Sequence, residues 1–227
     1  MIKEKKHQIL NQTFARRVGK AMSTLKKNLI DIELPKYLYS PERLRTSKYD
    51  KVFLEVGFGM GEHFVQQLHM NPDALYIGVE VYINGVANAL KQIQDHDNFM
   101  FWPDDLDLML DQIPLHSLDG IYVLFPDPWH KRRALKKRLF NQLRLNQFKS
   151  KLKGDGFIAF ASDIEDYFET ARKLLDLDPD LVIKNDDFTV PHLGYIQTKY
   201  HSKAIKEGRT AQFIQAALSG KKKRLLI

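Results

Sequence analysis

Short apolar runs alternate with helically spaced segments along most of this chain, and that alternation limits the fold more than any other feature. Residues 52–56, 75–79, 99–102, 120–125, 157–161 and 181–184 have strand length and are rich in β-branched, aromatic and other apolar residues. Between them, residues 61–70 carry Phe64, Val65 and Leu68 at helical spacing and stop at Asn71-Pro72. Val86, Ala89, Leu90 and Ile93 repeat the pattern, and residues 106–110 read as a short helix. Residues 136–152 read as one long amphipathic helix with Leu139, Phe140, Leu143, Phe148 and Leu152 inward. Gly154-Asp155-Gly156 reads as a turn, residues 164–177 as a helix ended by Pro179, and residues 212–218 fit either a last strand or a helix. The run 120–125 is apolar throughout, as in a strand covered on both faces. The expected fold is α/β, a mostly parallel sheet with helices on both faces. Ligands bind such sheets beyond the carboxyl ends of the strands.

The 227 residues include no cysteine, which excludes disulfides, Cys-ligated zinc, iron–sulfur clusters and a thiol nucleophile. That composition suits a reducing, cytoplasmic setting. No apolar run reaches the length of a membrane span, and the first residues lack the apolar stretch of a signal peptide. Neither a membrane nor a metal is expected, and the oligomeric state stays open. Net charge is +7, and the first 30 residues hold eight Lys/Arg against one acid. The remainder is neutral overall but carries two basic clusters, at 131–138 and 221–224. A compact domain over 49–218 is expected, flanked by a basic arm at 1–48 and a basic tail at 219–227. Pro35 and Pro41 bracket a segment expected to be extended or turned. Basic clusters of this kind fit a polyanionic partner.

The strand ends carry the candidate chemistry. The first reads Leu54-Glu55-Val56-Gly57-Phe58-Gly59-Met60-Gly61. Its glycines allow a tight turn and bring bare backbone against a ligand. The spacing is G-x-G-x-G rather than the G-x-G-x-x-G of dinucleotide sites. The acid at Glu55 suits a cationic amine better than a pyrophosphate. The second strand ends at Glu80, where a carboxylate grips ribose hydroxyls. Asp104 or Asp105 follows the third, near where a base would lie. Together these describe a pocket for S-adenosylmethionine. The fourth strand ends Leu124-Phe125-Pro126-Asp127-Pro128-Trp129-His130-Lys131, with two prolines stiffening the backbone around Asp127. The fifth ends Ser162-Asp163.

With Gly78-Val79-Glu80-Val81 and Thr198-Lys199-Tyr200, these motifs closely resemble the bacterial tRNA (guanine-N7-)-methyltransferase family, over roughly residues 50–218. The basic arm, including Phe14-Ala15-Arg16-Arg17-Val18-Gly19-Lys20, is also similar. The resemblance implies a Rossmann-like methyltransferase fold with an antiparallel last strand. It implies S-adenosylmethionine as donor and guanine 46 of the tRNA variable loop as acceptor. It assigns Glu55, Gly57, Gly59, Glu80, Asp127 and an acid at Asp104 or Asp105 to the cofactor. Asp127 is also the proposed active-site residue. Lys131, Asp163, Thr198, Lys199, Tyr200 and the following His201 are assigned to the substrate. Arg133, Lys136, Lys137 and Arg138 are assigned to RNA contact. His201 stands where the family usually has Glu, and Ala134 where it usually has His. Asp163 is the expected acceptor for the N1–H and 2-amino groups of guanine. The rival reading is a non-catalytic RNA-binding module on the same fold.

Overall fold

In the computed structural model, residues 17, 19, 21–93, 95–192 and 194–220 are described. Strands β1 (Lys51–Val56), β2 (Ala74–Val79), β3 (Phe99–Trp102), β4 (Leu118–Leu124), β5 (Leu152–Ser162), β6 (Leu181–Ile183) and β7 (Gln212–Leu218) form one sheet in the order β3-β2-β1-β4-β5-β7-β6. β1 pairs in parallel with β2 and β4, β2 with β3, and β4 with β5. β7 runs antiparallel to both β5 and β6. Residues 212–218 thus form a strand rather than a helix, with the antiparallel direction that the resemblance implies. The order reverses between β1 and β4, so their carboxyl ends open the crevice where ligands bind in such sheets.

Both faces of the sheet are covered, which is why its central strands are apolar throughout. All six residues of β2 are buried. One face packs against α3 (Glu62–Met70) and α4 (Ile83–Ile93) through Phe64, Leu68, Val86 and Leu90. The other packs against α5 (Leu106–Leu110), α6 (Gln142–Lys151) and α7 (Glu165–Asp176) through Met109, Phe148 and Phe168. Among the described residues, no helix is long and apolar enough to cross a membrane.

Three expectations change. Residues 136–152 are not one helix. A 3₁₀ turn at Arg132–Lys137 ends, Arg138 is extended, and Asn141 starts α6 by accepting from the Arg144 N–H at 3.0 Å. Leu143 is exposed, and Leu152 already opens β5. Gly154-Asp155-Gly156 lies inside β5, where the register with β4 shifts between Leu118 and Gly120. A Cβ on Gly156 would sit 3.0 Å from the Leu118 carbonyl oxygen, so the irregularity needs glycine.

Packing also begins before residue 49. Helices α1 (Thr24–Asn28) and α2 (Pro41–Arg45) flank a π-helical turn at Leu29–Glu33 and a 3₁₀ turn at Leu34–Tyr37. The segment before Pro41 is a turn through Tyr37 and extended at Leu38 and Ser40, as its two prolines imply. Leu38 bridges to Phe101 and the Tyr39 N–H donates to the Phe101 carbonyl at 2.8 Å. Leu29, Leu34, Tyr39 and Leu44 are buried. Each such side chain contributes roughly 2 kcal/mol by leaving water, so this stretch belongs to the body rather than to an arm. Residues 1–16 and the cluster 221–224 lie outside the described residues.

Candidate active site

The turn from β1 into α3 crosses the switch point with Gly57, Gly59 and Gly61 all at positive φ (73°, 60° and 87°). Side chains rarely adopt this region, which explains the glycine at every second position. A Cβ on Gly57 would meet nothing within 4 Å. The bare backbone there faces a cavity of about 880 Å³.

Glu80 follows β2 and is 7% exposed. Its Oε2 accepts from the Gly59 N–H at 2.7 Å and its Oε1 from the Tyr82 N–H at 2.8 Å. Burial pushes its carboxyl up, against the lowering effect of those backbone bonds. The carboxylate thereby holds the glycine turn, and each oxygen keeps a further lone pair for a hydroxyl.

At the end of β3 the two neighbouring acids separate. Asp105 is buried and caps α5, accepting from the Asp107 N–H at 3.0 Å. Asp104 lines the cavity and pairs with Arg17 Nη1 at 2.6 Å. Burial raises the Asp104 carboxyl, but the Arg17 guanidinium and the Asp105 N–H outweigh it and hold it below the ordinary value.

Asp127 lies on the loop after β4 and opens into the same cavity, where desolvation raises its carboxyl. Two residues before and after it, Phe125 and Trp129 adopt positive φ (52° and 44°). Bulky residues pay about 1–2 kcal/mol each for that conformation, so surrounding contacts must impose it. Arg138 supplies one such constraint. Its Nε donates to the Pro128 carbonyl at 2.8 Å, its Nη2 to Asp166 at 2.6 Å, and its guanidinium lies 4.5 Å from the Tyr167 ring centre. Arg138 is buried, so the expected RNA contact is instead the anchor of the Asp127 loop.

Helix α8 (Lys199–Lys206) forms the facing wall. Tyr200 packs near the glycine turn, with its Cε2 3.3 Å from where a Gly59 Cβ would lie. Burial raises its phenol first, and the nearby Asp127 and Glu80 carboxylates raise it further. Lys199, Lys136 and Lys137 also line the cavity, and Lys137 lies over the Trp129 ring at 4.7 Å. Thr198 is buried and caps α8, accepting from the His201 N–H at 3.2 Å.

Several expected residues are placed elsewhere. The period-2 alternation of β1 turns Glu55 toward α3. It is 3% exposed and bonds His63 Nδ1 at 2.8 Å, and His63 Nε2 in turn lies 3.1 Å from His192 Nε2. His201 stacks on Phe125 with ring centres 5.8 Å apart, and its Nδ1 lies 3.0 Å from the Tyr195 hydroxyl, so it buttresses the loop from behind. Asp163 accepts from Arg209 Nε at 2.7 Å, which occupies one carboxylate oxygen. Lys131 and Arg133 are exposed outside the cavity. Tyr82, Trp129, Arg144, Lys203 and Lys206 line it although the sequence reading gave them no role. The last two sit about one and two turns from Lys199 on a helix that the ambiguous pattern after Gly194 concealed.

The family described as "Putative methyltransferase" matches residues 49–214. The "Bifunctional methyltransferase" of Rickettsia typhi is 53% identical over 93% of this chain, which spans 42% of that protein's length. The tRNA (guanine-N(7)-)-methyltransferase of Brucella anthropi is 36% identical over 88% of this chain and 92% of its own. The counterpart in Azorhizobium caulinodans is 32% identical over 90% and 94%. Among solved structures, the 16S rRNA methyltransferase KamB superposes with a TM-score of 0.55 at 13% identity, covering 78% of this chain and 92% of that one. The aminoglycoside resistance methyltransferase NpmB1 superposes at 0.53 and 14% identity, covering 80% and 95%. These two likenesses establish the Rossmann-like methyltransferase fold. By its match across residues 49–214 and its full-length relatives, the chain belongs to the tRNA (guanine-N7-)-methyltransferase family.

Proposed function

We propose that this protein transfers the methyl group of S-adenosylmethionine to N7 of guanine in tRNA, at position 46 of the variable loop. The observation that carries the reading is the rigid Asp127 loop opening on one cavity with the glycine turn and Glu80. The donor set fits the cofactor. Glu80 offers lone pairs to ribose hydroxyls, Gly57 offers bare backbone, and Asp104 offers an acceptor to an amino group at the base end. About 880 Å³ lies within the usual range of 300–1,000 Å³ for small-molecule sites. Glu55 does not share that wall and acts through His63.

When bound, the cofactor supplies an electrophilic sulfonium methyl. Guanine N7 is an unprotonated acceptor, so no residue has to remove a proton to create the nucleophile. The protein's task is alignment. Asp127 is held by the strained, proline-flanked loop and by Arg138 behind it. Tyr200 and Trp129 offer aromatic faces to a base entering the cavity. A target base must leave its contacts in the tRNA to reach them, as in base flipping. Asp163, fixed by Arg209 outside the cavity lining, orders the β5 end.

The test is to incubate the protein with unmodified tRNA and methyl-labelled cofactor, digest the RNA and identify the nucleoside. N7-methylguanosine at position 46 is expected. Cofactor binding with no methylated product would favour the non-catalytic RNA-binding reading instead.

A further inference from the structure

Resting on that reading of the substrate as tRNA, we propose that the lysine face of α8 is the second jaw of a phosphate clamp, opposite the 3₁₀ turn Arg132–Lys137, whose Arg133, Lys136 and Lys137 the resemblance already assigns to RNA contact. The clamp grips the RNA backbone on both sides of the nucleotide that enters at Asp127. Lys199, Lys203 and Lys206 fall at i, i+4 and i+7, which is one face of a helix. At 1.5 Å per residue they span about 10 Å along its axis. All three line the cavity, while Ala204 is fully buried and Thr198 caps the first turn, so the lysine face is fixed toward the opening. Lys136 and Lys137 line the cavity from the 3₁₀ turn.

The two arginines of the cavity are already engaged. Arg138 pairs with Asp166 and Arg144 with Asp107, both at 2.6 Å. Lys203 has Glu207 only at 3.9 Å, with 65% of the lysine side chain in solvent. Exposed pairs of that kind contribute little. Among the described residues, no ion pair is formed by Lys136, Lys199 or Lys206. S-adenosylmethionine carries one carboxylate and needs one cation at most. The surplus matches a ligand with one negative charge per nucleotide. Lysine suits the task because its ammonium is a mobile point charge that reads no sequence. Holding the backbone on both sides of the target would also restrict the position of the base between them.

The test measures tRNA affinity across a range of salt for the full chain and for paired variants. Lys203→Gln with Lys206→Gln should flatten the slope of log affinity against log salt by about 1.4, from roughly 0.7 per single-strand phosphate. It should also raise KM for tRNA. Lys203→Arg with Lys206→Arg should keep the slope, since charge is retained. Lys91→Gln with Lys173→Gln, both exposed and neither lining the cavity, should keep it too. An unchanged slope in the first pair, or an equal loss in the control pair, overturns the clamp. Loss of S-adenosylmethionine binding in the first pair also overturns it, because the lysines would then serve the cofactor. Steep salt dependence in the unaltered protein without N7-methylguanosine would overturn the proposed activity and leave the clamp standing. Methylation with no slope change in the first pair would do the reverse.

Discussion

On the strand-end side of the cavity Glu80 is 7% exposed and both its oxygens are held by backbone N–H groups, whereas across the cavity Lys203 keeps 65% of its side chain in solvent. The first side is assembled before any ligand arrives. Its carboxylate, glycine turn and Asp127 loop are fixed by local bonds and by backbone that few other residues could adopt. The second side has little fixed geometry and much charge. On the proposed function the difference corresponds to two tasks. In-line transfer needs atoms placed within a fraction of an ångström, which only a packed and bonded wall provides. Holding a long polyanion needs charge over an area, which flexible cations provide without ordered contacts.

The largest expected effect comes from breaking the rigid side at its centre. Asp127→Ala should lower kcat by at least about 100-fold, the scale of a misaligned reacting pair. S-adenosylmethionine binding should survive through Glu80 and the glycine turn. A kcat within a few-fold of normal would remove Asp127 from the alignment.

A smaller effect is expected one layer further back. Arg138→Ala removes two charge-assisted bonds, to Pro128 and Asp166. It should cost about 1–3 kcal/mol of stability, read by denaturant melts, and lower kcat through the loosened loop. Arg138→Lys should not restore kcat, because one ammonium cannot reproduce the planar fork across both acceptors. Restoration by lysine would reduce Arg138 to a charge.

The rigid side was largely legible in the sequence because its signals are local. A strand buried on both faces is an apolar run, a turn at positive φ is a run of glycines, and two prolines mark a stiffened loop. Choosing between Asp104 and Asp105 required the helix cap, which only the α5 start reveals. Glu55 lies outside the cavity lining and bonds His63 across a packing layer, a separation from Val56 that strand alternation alone marks. The other side was less legible. Apolar spacing runs on through Asn141, so the break before α6 looked like continuous helix. Helix α8 buries only Ala204 among its residues, and its eight positions are too few for their apolar spacing to stand out in the sequence. Its lysines had no visible common face.

Outside the cavity the effects should be smaller again and purely electrostatic. Arg132 and Arg133 are exposed on the 3₁₀ turn. Arg132→Gln with Arg133→Gln should flatten the salt dependence of tRNA binding by no more than about 1.4. The identity of the methylated nucleoside should not change. A change in that nucleoside would mean that these residues read bases and that the division between the two sides is wrong.

The finest comparison sets two acids of the same cavity against each other. Desolvation raises the Asp127 carboxyl above the ordinary 3.8, so between that value and its raised value the folded protein binds more protons than the unfolded chain. Stability must therefore fall as pH rises through this window, and the charged site stays a small liability above it. Asp127→Asn removes the charge and should raise Tm slightly at pH 7, with the gain vanishing well below the ordinary value. Asp104 has the opposite sign. Its carboxyl is held below 3.8 because the Arg17 pair and the Asp105 N–H outweigh burial. It stabilises the fold above the unfolded value and loses that contribution as pH falls through the lowered one. Asp104→Asn should therefore lower Tm at pH 7, with the deficit fading in acid. Both shifts should stay small, since Asp127 opens to the cavity and the Arg17–Asp104 pair is about half in solvent. Thermal melts of both variants at pH 3 and pH 7 decide the matter. If both asparagine variants moved Tm in the same direction at pH 7, the opposed environments of the two carboxylates would be refuted.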